Sequence, residues 1–415
     1  MTTTAATSST RGPAPERKLL HLLGPAFVAA VAYVDPGNVA ANLTAGAQYG
    51  YLLLWVLVVA NAMAVLVQYL SAKLGVVTGR TVPEHLRDRL GPRGRLAFFS
   101  QAQAVAIATD VAEVIGGAVA LGLLFGLPLW LGGVITGVVS TAVLALNSAD
   151  GVRRFEAVII TLLGVIAVGF LAGLVVAPPD AAEAAAGLVP RFDGPDTVLL
   201  AASMLGATVM PHAIYLHSGL ARDHHGGAVE PSRVPRVLRA TRTDVVAALV
   251  LAGVVNIAML LLAATSLRGV AGTDTLEGAH AAVVDALGPA VGLFFAVGLL
   301  ASGLASTSVG SQAGAVIWGT LRRRVPPLLV RRVLTLVPAL AVLLAGVDPT
   351  QALVLSQVVL SFGIPFVLVP LLRLTSSRAV MGEHANTPLV RALALLAVAA
   401  VVVLNVVLLV LTFAG

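Results

Sequence analysis

From Leu19 onward the chain is a succession of long apolar runs that continue almost to its last residue. A helix needs about 20 apolar residues to cross a bilayer. Runs long enough lie near 24–46, 51–75, 96–124, 128–146, 155–177, 196–220, 244–265, 289–320, 326–346, 350–372 and 389–413, which makes eleven spans. Only helices and closed barrels can satisfy their backbone inside hydrocarbon. Barrel strands alternate in polarity and are far less apolar than these runs. The chain is 58% hydrophobic and 11% charged, with a mean hydropathy of +0.95, whereas a soluble domain carries about a quarter charged residues. The expected class is an all-α integral membrane protein.

The polar head, residues 1–18, has the composition of a disordered segment. No cleavable signal is read, because the first apolar run is too long and is broken in its middle. With no cysteine in the chain, disulfides and thiolate metal sites are excluded.

A formal charge of +6 would suggest nucleic acid in a soluble protein, but its distribution says otherwise. If the N-terminus is cytoplasmic, 24 of the 26 Lys/Arg residues fall in cytoplasmic segments or at their edges, and only Arg191 and Arg268 fall outside. That is the positive-inside bias. It predicts a multi-pass protein of the cell membrane with its N-terminus in and its C-terminus out, and no nucleic-acid partner.

Two spans carry a defect. In the first, Ala32-Tyr33-Val34-Asp35-Pro36-Gly37-Asn38 places a carboxylate, a proline and a glycine in mid-span. In the sixth, Gly206, Pro211 and His212 interrupt LGATVMPHAIYLHSG. Proline removes a donor and frees carbonyls, which then need a partner. Interrupted helices at matching places in two halves point to a transporter site. Five spans per half also means that the halves are inserted upside down relative to one another. The expected units are residues 19–177 and 196–372 as five-helix repeats, 178–195 as an external loop, 373–388 as a cytoplasmic loop and 389–415 as a peripheral eleventh helix.

Asp35, Asn38 and Asn42 are spaced three and four apart, so they share a helical face. A mid-membrane carboxylate costs about 2.5–3.5 kcal/mol even on a lenient scale. Asp35 could simply cap the resumed helix, but a serine would do so at lower cost. Asp35 with Asn38 offers hard oxygen ligands suited to a cation. Met210 could be packing, or a thioether that transition metals tolerate and Mg²⁺ or Ca²⁺ do not need. Asp110 and Glu113 share a face of the third span and read as partners of a cation or as a proton relay. His212 reads equally as a relay member or as a structural histidine. Arg331 and Arg332 could anchor a span end, yet the apolar stretch after them is so short that the pair should dip into the membrane, with Asp110 and Glu113 as counter-charges. Gln357, a lone amide in mid-span, has helix–helix adhesion as its plainer reading.

DPGN in the first span and MPH in the sixth, with ATDVAE, VRRVLTLVPAL and SQVVLSFGIPF, together resemble the Nramp family (natural resistance-associated macrophage proteins), over about Leu20 to Leu372. The resemblance implies a LeuT-type 5+5 inverted repeat with broken helices 1 and 6 and one extra helix. It implies proton-coupled import of divalent transition metals (Mn²⁺, Fe²⁺) by alternating access, with metal and protons as substrates, no cofactor, and no obligate protein partner. By position, Asp35, Asn38 and Met210 would bind metal, the carbonyls of Ala32 and Ala207 would join them, and Gln357 would close the site. Asp35 would also take up a proton, with Asp110 on the exit route and Glu113, His212, Arg331 and Arg332 around it. Gln103 stands where many bacterial relatives have an acid.

Two other functions fit less well. A carrier of a small organic substrate on the same fold would prefer half-helix N-termini free of a nearby acid. A metal sensor that does not transport would need an output domain, for which the chain has no room. An intramembrane protease lacks its motifs, with no HExxH and no GxSxG.

Overall fold

The computed structural model describes residues 24–145, 152–319 and 326–414. The polar head and Arg322, Arg323 and Arg324 lie outside the described residues. The described residues are mostly helical: α1 (Pro25–Ala30), α2 (Pro36–Tyr49), α3 (Leu54–Thr78), α4 (Val82–Arg89), α5 (Pro92–Phe125), α6 (Leu129–Ala145), α7 (Val152–Val176), α8 (Ala181–Ala186), α9 (Gly194–Thr208), α10 (Pro211–His224), α11 (Val234–Ser266), α12 (Leu276–Leu287), α13 (Pro289–Trp318), α14 (Leu328–Leu344), α15 (Pro349–Ser376), α16 (Arg378–Met381) and α17 (Pro388–Ala414). A 3₁₀ turn, Val31–Val34, follows α1.

Helices lie at each of the eleven expected positions. Eight helices among the described residues are long and apolar enough to cross a bilayer, with α9 and α10 taken together as one. The other three are the first broken helix, α6 and α14, of which the last two have 17 residues each. Their neighbours run longer than the apolar pattern indicated. Helix α5 has 34 residues and α11 has 33, because polar flanks continue a helix once its apolar body has nucleated it. The connections are also more ordered than loops, since α4, α8, α12 and α16 lie within them.

The first break lies in the interior. Its turn and the start of α2 pack against α11 and α13, and α2 also meets α9 and α15. Close approach of backbones sustains this packing, as is usual between membrane helices. At Gly303 of α13, a β-carbon would lie 2.9 Å from the backbone nitrogen of Gly117 on α5. Helix α17 packs on α15 and α9. Apolar as it is, it is clasped by one polar pair: Asn405 Nδ2 donates to the Ser361 carbonyl (2.9 Å), and Ser361 Oγ donates to Asn405 Oδ1 (2.7 Å).

Candidate metal centre

Proline at the first position of α2 stops any helix arriving from α1, and extended backbone at Asp35 (ψ 166°) makes the corner. Asp35 does cap α2: its Oδ1 accepts the Asn38 backbone N–H at 2.8 Å. The cap does not exhaust the carboxylate, because Oδ1 also accepts Asn38 Nδ2 (2.8 Å) and Oδ2 accepts Gln357 Nε2 (3.1 Å). The carbonyls around Ala32 are satisfied by side chains of other helices. Ser306 Oγ donates to Val31 O (3.2 Å), Asn256 Nδ2 to Tyr33 O (2.6 Å) and Ser302 Oγ to Val34 O (2.6 Å).

The second break follows the same rule with different chemistry. Proline opens α10, and Met210 occupies the cap position with no side-chain capping bond. The Ala207 carbonyl, freed at the end of α9, accepts Asn38 Nδ2 at 3.0 Å, and Thr208 Oγ1 donates to Asn38 Oδ1 at 3.4 Å. Asn38 therefore bridges the two breaks. Asp35, Asn38, Ala32, Ala207, Met210 and Gln357 all have 0% exposure. Two glycines bring Gln357 into the group. A β-carbon at Gly37 would lie 1.7 Å from Gln357 Nε2, and one at Gly206 would lie 2.0 Å from the Gln357 backbone oxygen. The result is a carboxylate, two amides, a helix-end carbonyl and a thioether at the meeting of two interrupted helices.

Asn42 is not part of this group. It donates instead to Asn256 Oδ1 on α11 at 3.1 Å, because it sits about 6 Å further along the α2 axis than Asn38.

The acids of α5 divide. Both Asp110 oxygens accept Arg332 Nη1 at 2.7 Å in a buried ion pair. Arg332 also donates to Ser140 Oγ (2.7 Å), Thr141 Oγ1 (3.0 Å) and Ser311 Oγ (3.1 Å). Arg331 is not a counter-charge to either acid. Its Nη1 donates to the Ser311 carbonyl at 2.9 Å, since neighbouring helical residues point about 100° apart and only one of the two can face α5. Glu113 is fully buried, and neither of its oxygens has a hydrogen-bond partner among the described residues. Its Oε2 would lie 3.0 Å from a β-carbon at Gly310, so the absence of a side chain there leaves it room.

His212 is tied to the same helix through Thr109, with Nδ1 3.2 Å from Oγ1. That hydroxyl spends its hydrogen on Val105 O, so Nδ1–H is the donor and Nε2 keeps a lone pair, which has no partner among the described residues. The Gln103 Oε1 is likewise buried and has no partner among the described residues.

Sequence reasoning missed a second chain of polar groups. His217 Nδ1 lies 2.7 Å from Gln68 Oε1, and Gln68 Nε2 donates to the Tyr33 hydroxyl at the first break. His217 follows the histidine of MPH by five residues, and that nearness to the break is the signal by which it could have been found.

The comparisons with known proteins bear on this arrangement. Residues 26–411 match the family described as natural resistance-associated macrophage protein-like. The chain is 58% identical over 395 residues to the divalent metal cation transporter MntH of Mycobacterium tuberculosis, covering 95% of this chain and 92% of that one. Its structure is similar to a crystal structure of the Eremococcus coleocola manganese transporter, with a TM-score of 0.85 at 31% identity, over 96% of this chain and 89% of the other. It is also similar to Mhp1, a nucleobase-cation-symport-1 family transporter, with a TM-score of 0.62 at 16% identity, over 93% and 90% of the two chains. At that identity only the fold is shared. The fold is the LeuT-type 5+5 inverted repeat with an added eleventh helix.

Proposed function

The chain belongs to the Nramp family, and from that premise we propose that it imports divalent transition-metal ions, Mn²⁺ and Fe²⁺, across a cell membrane together with protons. The relatives carry the names of divalent metal cation and manganese transporters. The observation that carries the reading to this chain is the convergence of Asp35, Asn38, Gln357 and the Ala207 carbonyl, bonded to one another at the two breaks, with Met210 beside them as a cap that has no capping bond.

Asp35 supplies the charge a divalent ion requires once it leaves water. The two amides turn N–H toward Asp35 and can turn oxygen toward an ion by a half-rotation of their terminal groups. Gln357 Oε1 is buried and has no partner among the described residues, so that rotation breaks no bond made there by Oε1. Carbonyls at Ala207 and Ala32 add neutral oxygens. Met210 adds a thioether, which biases the site toward transition metals and away from Mg²⁺ and Ca²⁺. The two halves then move about this site to open it on alternate sides.

Protons leave by way of α5. Asp110, paired with Arg332, is the first group on that route, and Glu113, His212 and Arg331 surround it. The concentration of Arg on the α3–α5, α10–α11 and α15–α17 connections supports a cytoplasmic location for that face and for the N-terminus. On this reading the chain performs no covalent chemistry.

The test is Mn²⁺ uptake by the purified protein in liposomes with and without an inward proton gradient. Uptake that is saturable and accelerated by the gradient is expected. Binding of Mn²⁺ without any flux would favour a receptor, and flux indifferent to the gradient would remove proton coupling.

A further inference from the structure

A groove of about 570 Å³ opens between α4, α5 and α15, within the roughly 300–1,000 Å³ range of small-molecule sites. Its origin is in the sequence of α15. Pro365 and Pro370 both stand inside this helix, where each ring removes a backbone donor and disturbs the regular turn. The walls are apolar (Phe98, Pro365, Phe366, Val369 and Pro370), and Phe366 is 55% exposed. The lining is not wholly apolar, because Arg89 from α4 and Arg373 from the last turn of α15 also line the groove. Arg373 also belongs to an adjoining cavity of about 350 Å³ that adds Ser376, Ser377 and Arg391. None of the three guanidinium groups has a hydrogen-bond or ion-pair partner among the described residues, although the neighbouring Arg80 and Arg87 both pair with Asp88.

We propose that this groove holds one anionic phospholipid, with an acyl chain along Phe98, Phe366 and Val369 and the headgroup phosphate between Arg89 and Arg373. Guanidinium groups match phosphate oxygens in a bidentate fashion, and basic pockets between membrane helices are suited to acidic headgroups. The apolar floor runs along a bilayer-crossing helix, so the occupant is a lipid with its tail in the membrane, and Arg391 supplies a further positive charge toward the headgroup.

The test uses the full chain, purified in detergent, freed of lipid and titrated with phosphatidylglycerol or phosphatidylcholine of the same acyl chains under native mass spectrometry. Phosphatidylglycerol is expected to bind about tenfold more tightly, a difference of about 1.4 kcal/mol. R89Q/R373Q should abolish that preference while leaving thermal stability and Mn²⁺ binding unchanged. Val369→Trp fills the groove without altering charge and should weaken both lipids. Soluble glycerophosphoglycerol should not compete, which separates a seated lipid from a free phosphate. Equal binding of the two lipids, a preference that survives R89Q/R373Q, or displacement by the soluble headgroup would each overturn the proposal.

Discussion

The two broken helices occupy matching places in the repeat, yet they are held together by different means. At the first break a short helix and a 3₁₀ turn meet Asp35, whose carboxylate takes three hydrogen bonds. The carbonyls it frees are bound by Ser302, Ser306 and Asn256 from α13 and α11. At the second break, α9 ends in a carbonyl that reaches back to Asn38, and Met210 stands at the cap position of α10 with an apolar side chain that makes no capping bond. One break is thus charged and held by polar side chains of other helices, whereas the other is neutral and packed. Repeat symmetry determines where backbone is exposed at mid-membrane; the residues placed there determine what that backbone can do.

The largest expected effect exploits the glycines that hold the breaks against Gln357. In Gly206→Ala the new β-carbon meets the Gln357 backbone oxygen at 2.0 Å, which only a movement of α9 away from α15 can relieve. Overpacking of this kind costs about 1–3 kcal/mol or more, so a large fall in melting temperature and loss of uptake are expected. In Gly37→Ala the nearest atoms met are those of the Gln357 side chain, which can swing aside. It should stay folded and lose transport. Equal melting temperatures for the two variants would show that the second break is not the more tightly packed one.

Asp110→Asn tests whether the polar network is separate from both breaks. Losing one partner of a buried ion pair costs about 3–5 kcal/mol, softened here by the three hydroxyls that also hold Arg332. The melting temperature should fall, Mn²⁺ binding should survive, and uptake should lose its pH dependence. A collapse of Mn²⁺ affinity would place Asp110 among the metal ligands.

Met210→Ala sharpens the contrast between a hard and a soft break. Cd²⁺ affinity should fall most and Mn²⁺ affinity modestly, while Ca²⁺ gains the ability to compete, because water can fill the place of the sulfur. Ca²⁺ competing equally in both proteins would make Met210 a packing residue only. The smallest effect is expected at Asn405→Leu. It removes the clasp on α17 and should lower the melting temperature slightly with uptake intact, since α17 belongs to neither repeat. Loss of uptake in this variant would tie α17 to the transport cycle.

The breaks themselves are legible in the sequence, because an apolar run tolerates Asp, Pro and Gly together only where its backbone faces protein or a cavity instead of lipid. The site around them is only partly so. Spacing puts Asn42 on the face of Asp35 and Asn38, but spacing carries no information on distance along the axis, and Asn42 bonds to Asn256. Arg331 and Arg332 look like a unit in sequence, although a helix turns adjacent side chains apart. Ser302 and Ser306 look like any small residues in a membrane helix, and their role depends on carbonyls more than 260 residues away. Gln357 stands out by resemblance alone; as a lone amide it would pass for helix–helix adhesion.

The most direct test of a single cation site shared by both breaks is calorimetric titration of Mn²⁺ into the wild type, Asp35→Ala, Met210→Ala and the double variant. Asp35→Ala should abolish measurable binding and Met210→Ala should weaken it. The double variant should be no worse than Asp35→Ala. Wild-type affinity in Asp35→Ala would contradict the assignment outright.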